Sequence, residues 1–274
     1  MSKIQTIRRT LPVLLAMLCA SCGQPEAEQQ PPNILWVNID DQSPWYGAYG
    51  DELAQTPNID ALAATGVVFE RAYAPSPVCG PSRSSVITGN YNIRIGAHDM
   101  RSGRVPEYQI HLPEGATTVP ELFREAGYET YNAGKDDFNF AYRRAELYSI
   151  HDPEVASTGG KNYKGDQGSG DWRDVAEGRP FFGQVQISGG KAVDAELPAK
   201  LETLGYTPVS EAAVRVPPQY PDIPAVRQQI AGHHNSIMQS DHELGQIIDR
   251  LKTDELWQNT VGIIFSDHGS DVPR

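Results

Sequence analysis

Two adjacent aspartates, Asp40-Asp41, a cysteine four places before an arginine in Cys79-Gly80-Pro81-Ser82-Arg83, the lysine Lys135 and the pair Asp267-His268 are the residues of this chain whose types and placing could do chemistry together. Clustered carboxylates repel one another unless a cation lies between them. Oxygen-rich ligation of that kind suits Ca²⁺ or Mg²⁺ better than a soft metal. A cysteine near a fixed guanidinium offers a nucleophile, or its precursor, beside a charge that stabilises an anion. Each group also has an ordinary reading when taken singly. Asp40-Asp41 would serve as a turn or helix cap, Asp267-His268 as a strand end, and Cys79 as a small buried hydrophobe near a turn.

The elements that must position these residues alternate between strand and helix. Residues 33–39 form an apolar run of the kind buried on both faces of a parallel sheet, and the run stops at Asp40-Asp41. A helix is expected from Thr56-Pro57 to Gly66, with a cap and a proline in its first turn, followed by a short strand at 67–69. Residues 84–88 begin another helix, which sets Cys79 at or just before a helix N-terminus, a place that favours anions. A helix over 119–126, capped by Thr118 and stopped by Gly127, leads to a strand at 128–132 with Lys135 just past its end. The polar, Gly-rich stretch 141–178 reads as an irregular insertion, and 180–187 as a buried strand. Val226, Ile230, Ile237, Leu244, Ile248 and Leu251 recur at helical spacing, and 260–265 forms a last strand ending on Ser266-Asp267-His268. This order predicts an α/β fold with a mostly parallel sheet sandwiched by helices. In such sheets the ligand site lies at the carboxyl ends of the strands, where Asp40-Asp41, Lys135 and Asp267-His268 all fall.

With 39% apolar and 21% charged residues over 274 positions, the chain is foldable rather than disordered. Its net charge of −12 argues against nucleic acid as a partner. Any anion binding must therefore come from local Arg and Lys. Lys3, Arg8 and Arg9 precede a short apolar stretch, 11–18, that closes on Cys19-Ala20-Ser21-Cys22-Gly23. Residues 1–22 read as a lipoprotein-type signal peptide with a lipid anchor at Cys22, and 23–32 as a polar tether. The expected destination is the periplasm or cell surface. Loss of the three basic residues would take the charge from −12 to −15. Cys79 would then be the one cysteine besides Cys22, so no disulfide framework is expected.

The run around Cys79, with Thr88-Gly89 following, resembles the C-x-P-S-R signature of the type I, formylglycine-dependent sulfatases of the alkaline phosphatase-like superfamily. The order Asp-Asp, C-x-P-S-R, Gly-Lys, Ser-Asp-His-Gly is that family's order and covers nearly all of 33–269. The resemblance implies that Cys79 is oxidised by a formylglycine-generating enzyme to an aldehyde whose hydrate attacks sulfur. Asp40, Asp41, Asp267 and His268 would bind Ca²⁺ together with the oxygen on modified Cys79. Arg83 would contact the nucleophile and the sulfate, Lys135 would hold the sulfate, and Asp267 would act as base. Sulfate would leave by collapse to the aldehyde, an exit that a serine lacks. The segment 96–101 and the Asp267-His268 pair resemble the branch of heparan N-sulfatase and iduronate sulfatase, with a sulfated glycan as the implied substrate. Arg94, Arg101 and Arg104 are candidate contacts for such a polyanion.

Three departures qualify the resemblance. Lys135-Asp136-Asp137 stands where many members have Lys-x-His. Ser188-Gly189-Gly190-Lys191 stands where many carry a histidine that protonates the leaving group, and Lys191 would replace it or be a solvated loop residue. Family members also run on well past the Ser-Asp-His-Gly motif, so 33–274 reads as the N-terminal, catalytic portion of such a domain with its C-terminal part missing. Two other readings compete: a phosphoester or phosphonate hydrolase of the same superfamily, and an inactive, lipid-anchored glycan-binding protein.

Overall fold

The apolar run at 33–39 becomes β1 (Asn33–Ile39) in the computed structural model, which describes residues 30–100, 104–105, 107–150 and 170–270. It pairs in parallel with β5 (Phe181–Ile187) on one side and β6 (Thr260–Ser266) on the other. β4 (Glu129–Ala133) adds to the outer edge of β5, again in parallel, so the sheet runs β4-β5-β1-β6. Flanked on both sides, β1 has nowhere to expose a polar row, which is why its sequence does not alternate. β2 (Arg104–Val105) and β3 (Tyr108–Gln109) form a separate short antiparallel pair.

Helices cover both faces. Leu35, Val37 and Ile39 point to a core completed by α6 (Pro224–Thr253), whose Val226, Ile230, Ile237, Leu244, Ile248 and Leu251 are all buried. Each such side chain contributes about 1.5–3 kcal/mol on burial. The α6 carboxylate Asp241 accepts the N–H groups of Asn58 and Ile59 at 3.0 and 2.8 Å, which fixes the N-terminus of α1 (Pro57–Thr65) against α6. On the opposite face, Trp36 packs edge-on to Phe182 and Phe265, and Phe123 of α3 (Val119–Glu125) stacks on Phe182. Ile87 of α2 (Cys79–Thr88) joins that side with Phe138 and Phe140. The parallel sheet flanked by helices is the fold class expected from sequence.

Some local expectations change. Residues 67–69 form no strand: Val67 and Phe69 are 80% and 70% exposed, with no neighbouring strand among the described residues to take their backbone groups. The helix expected from 84 starts at Cys79 itself. Within 141–178, α4 (Arg144–Leu147) and a 3-10 turn at Trp172–Asp174 send Leu147 and Trp172 into the two cores, so those parts are ordered elements. The signal peptide, Cys22, most of the tether, Arg101 and residues 151–169 lie outside the described residues, and Arg104 is described by its backbone alone.

Candidate active site

Strand register decides which residues meet. Ile39 is level with Ile187 of β5 and Ser266 of β6, so Asp40, Ser188 and Asp267 each stand one step past their strands, side by side. Lys135 follows β4 in the same way, and all four strands thus contribute at their carboxyl ends. The chain leaves β1 toward β4 and leaves β5 toward β6, on opposite sides of β1, which opens the sheet there for a ligand. Asp41 takes a positive φ of 51°, a sharp turn that brings its carboxylate back over the strand ends. Cys79, the first residue of α2, is buried beneath it.

Arg83, one turn along α2, is held on three sides. Its Nε donates to Asp267 Oδ2 at 2.7 Å, Nη2 to Asp40 Oδ1 at 2.7 Å and Nη1 to Gln186 Oε1 at 2.6 Å. Lys135 Nζ reaches Asp40 Oδ1 at 2.9 Å and Asp137 Oδ2 at 3.4 Å. Lys191 Nζ donates to Asp40 Oδ2 at 2.5 Å and Asp41 Oδ1 at 2.7 Å, and lies 3.3 Å from Cys79 Sγ. His268 Nε2 lies 2.8 Å from Asp41 Oδ1 and 3.2 Å from Cys79 Sγ, and its Nδ1 sits 2.8 Å from the Gly269 carbonyl. Asp267 Oδ1 accepts the backbone N–H groups of Asp41 and His268 at 3.1 and 3.0 Å.

The electrostatics follow from burial set against these partners. Burial raises Asp40, but Arg83 and then Lys135 and Lys191 outweigh it and hold this carboxyl far below the usual range. Burial also opposes Asp41, which its bonds to His268 and Lys191 bring down to about 2. Asp267 goes the other way: burial raises it, Arg83 offsets only part, and the facing Asp40 adds to the rise. Burial lowers His268, yet hydrogen bonds to Asp41 and Cys79 carry it up to about 10. Desolvation of Arg83 and Lys191 is likewise outweighed by their carboxylates, so both remain cations.

One oxygen, nitrogen or sulfur from each of Asp41, Cys79, Asp267 and His268 lies within 4.8 Å of the others, a spacing that could hold a metal ion. Asp40 is beside this group, with its oxygens turned to Arg83, Lys135 and Lys191. The residues fit a divalent cation. Their buried carboxylates converge on a point where the ammonium of Lys191 already acts as a stand-in cation. The thiol is the one soft donor, and oxidation of Cys79 would replace it with oxygen, the donor that Ca²⁺ prefers.

Asp40, Asp41, Cys79, Arg83, Lys135, Asp267 and His268 therefore come together. His268 and Lys191 are nearest the sulfur, at 3.2 and 3.3 Å, with Asp41 at 3.6 Å, while both oxygens of Asp267 are engaged by Arg83 and backbone N–H groups. Arg94 is exposed. Gln186 escaped the sequence reading although it had a signal: a glutamine near the carboxyl end of a mostly apolar strand. His233 was also missed. Buried on α6, its Nε2 accepts the Ser43 N–H at 3.1 Å and so braces the turn after Asp41.

A family model described as Sulfatase matches residues 32–274. An ulvan-active sulfatase of Formosa agariphila is 25% identical over 96% of this chain and 50% of its own length. Human iduronate 2-sulfatase is 34% identical over 46% of this chain and 22% of its own. A Bacteroides thetaiotaomicron structure, described under the metabolism of multiple glycosaminoglycans, superposes with a TM-score of 0.65 at 20% identity, covering 87% of this chain and 61% of that one. The chain thus spans about half the length of the Formosa relative and less of the human one.

Proposed function

The chain belongs to the sulfatase family, and from that premise we propose that its strand-end site hydrolyses sulfate esters or N-sulfates of a sulfated carbohydrate, with oxidised Cys79 as nucleophile. The observation that carries the reading is the placing of Cys79 Sγ within 3.2–3.6 Å of His268, Lys191 and Asp41, next to an Arg83 clamped between Asp40 and Asp267. A Ca²⁺ held by Asp41, Asp267, His268 and the oxidised Cys79 side chain, with Asp40 alongside, would supply Lewis-acid polarisation of a sulfate oxygen.

The protein's own groups account for the rest. Arg83 cannot reorient without breaking three bonds, so its charge is preorganised for an anion at the start of α2 and costs no rearrangement during reaction. Lys135, on the loop after β4 and paired to Asp40 and Asp137, can present its ammonium as a point charge to a sulfate oxygen. His268, carried up to about 10, is a cation beside residue 79, and Asp41, brought down to about 2, stays ionised next to it. Asp267, whose affinity for protons is raised, is the acceptor for a proton from a hydroxyl at residue 79 and holds Arg83 in line. The basic and apolar leader ending at Cys22 supports export and a lipid anchor, and the Cys79–Arg83 motif supports maturation by a formylglycine-generating enzyme.

Mass spectrometry on the tryptic peptide 72–83, from protein co-produced with that enzyme, tests the nucleophile. The expected mass is that of aldehyde in place of thiol at Cys79, and an unmodified thiol in active protein would refute it. Turnover of matched sulfate and phosphate monoesters on one leaving group then tests the reaction. Preference for phosphate would overturn the sulfatase reading.

A further inference from the structure

The loop Ser188-Gly189-Gly190-Lys191 is built around contact with the Asp40-Asp41 backbone. Gly190 N donates to the Asp40 carbonyl at 2.8 Å. A Cβ on Gly189 would fall 2.1 Å from that same oxygen, and Gly189 also has a φ of +55°. On Gly190 a Cβ would fall 2.1 Å from the Asp41 carbonyl and 2.9 Å from His233. Only two glycines can pass so close. The result is that Lys191 enters over the two carboxylates and sets its ammonium on Asp40 Oδ2, Asp41 Oδ1 and the Cys79 sulfur at once.

Its partners and its freedom are unequal. Asp40 and Asp41 are fixed, with 7% and 3% of their side chains exposed, whereas Lys191 retains 42%. The ammonium uses Asp41 and Cys79, two of the four groups that would hold a divalent cation. Two cations cannot share those atoms at ligand distance, because their repulsion in a buried site is strong. The fixed carboxylates cannot retreat, and the lysine stem can.

The geometry points to Lys191 as a tethered cation that competes with the divalent ion for Asp41 and residue 79, swinging toward solvent when the ion enters. This rests on the reading above that the cluster takes such an ion. In the ion-free protein Lys191 keeps the carboxylates paired and folded. It weakens ion binding by the free energy needed to displace it.

Calorimetric titration of Ca²⁺ into chelator-stripped protein tests this, with Lys191→Met, Lys191→Gln and the exposed-surface control Lys200→Met. Both Lys191 variants should bind Ca²⁺ on the order of tenfold more tightly than wild type, and Lys200→Met should match wild type. In chelator the Lys191 variants should melt below wild type, and saturating Ca²⁺ should close or reverse that gap. Unchanged or weaker Ca²⁺ affinity in folded Lys191 variants, with wild type binding, would overturn the competition alone. Equal tightening in Lys200→Met would reduce it to net charge and overturn it too. No binding by any of the folded proteins would overturn both it and the metal reading. Should Lys191→Met fail to fold, Lys191→Gln, which keeps a polar end without the charge, decides.

Discussion

Arg83 carries the most at the scale of single residues. Breaking a buried ion pair from one side typically costs about 3–5 kcal/mol, and Arg83→Met would leave Asp40 and Asp267 facing each other with one cation fewer. We expect a loss of that size in urea unfolding, and a turnover loss of about 100-fold or more. Arg83→Lys keeps the charge but not the three-way fork, so it should recover part of the stability and little of the activity. The motif residues Asp40, Asp41, Cys79, Arg83, Lys135, Asp267 and His268 were legible because their order matches a known signature and the carboxylates, Lys135 and His268 fall just past apolar strand runs. Lys191 and Gln186 were only half legible, since a lysine in a Gly-rich loop or a glutamine in a strand acquires meaning from what the fold places opposite. His233 gave no signal at all, because one face of a long helix looks the same whether a histidine fills the core or braces a turn. Burial pushes its pKa down to about 4, with His234 adding and Asp41 opposing. The folded chain thus refuses a proton that the unfolded chain accepts below about 6.5. That stability is complete above pH 6.5 and is lost as pH falls toward 4, by at most about 3 kcal/mol. Urea midpoints at pH 7 and 4.5 should separate more in wild type than in His233→Gln, and equal separation would clear His233 of this role.

Elements were read well where periodicity is strong and poorly where a partner decides. The continuous apolar runs of β1 and β5 and the helical spacing in α6 left little choice, as each buries a full face, whereas β6, of the same composition, stays partly exposed along its length. The stretch 67–69 has a strand's composition, but a strand needs a neighbour, and hydrophobic type alone cannot supply one. α2 was placed five residues late because Cys79-Gly80-Pro81 looks like a turn, although proline and glycine are tolerated in a first helical turn. The loop after β5 shows the reverse case, in which glycines that read as slack are demanded by close approach. Gly190→Ala must push either the Asp41 carbonyl or His233 aside. A cost of about 1–3 kcal/mol is expected from such overpacking, together with weaker anion binding because Lys191 and Asp41 move apart. Chemical denaturation of the variant checks it, and wild-type stability would show that the loop shifts freely.

The whole molecule is acidic, with a net charge of −12, yet it gathers Arg83, Lys135 and Lys191 at one end of its sheet. The anionic substrate proposed above would therefore be recognised locally and repelled elsewhere, so binding should weaken only modestly with salt. Among the described residues β6 stands at one edge of the sheet, with Val261 and Ile263 46% and 43% exposed, and Phe69 and Tyr73 also stand out at 70% and 86%. Exposed apolar edges invite association. Val261→Lys with Ile263→Lys should lower light scattering at high protein concentration while shifting unfolding stability by less than about 1 kcal/mol. Unchanged scattering would remove β6 as the adhesive edge. The central claim is that residue 79 hydrolyses sulfate esters within this strand-end site. Inorganic sulfate released from sulfated oligosaccharides, by protein matured with a formylglycine-generating enzyme and by its Cys79→Ala variant, tests it most directly. Release by the matured protein and a loss of at least about 1,000-fold in the variant are expected. Equal release from both, or none from protein whose Cys79 is fully oxidised, would contradict it.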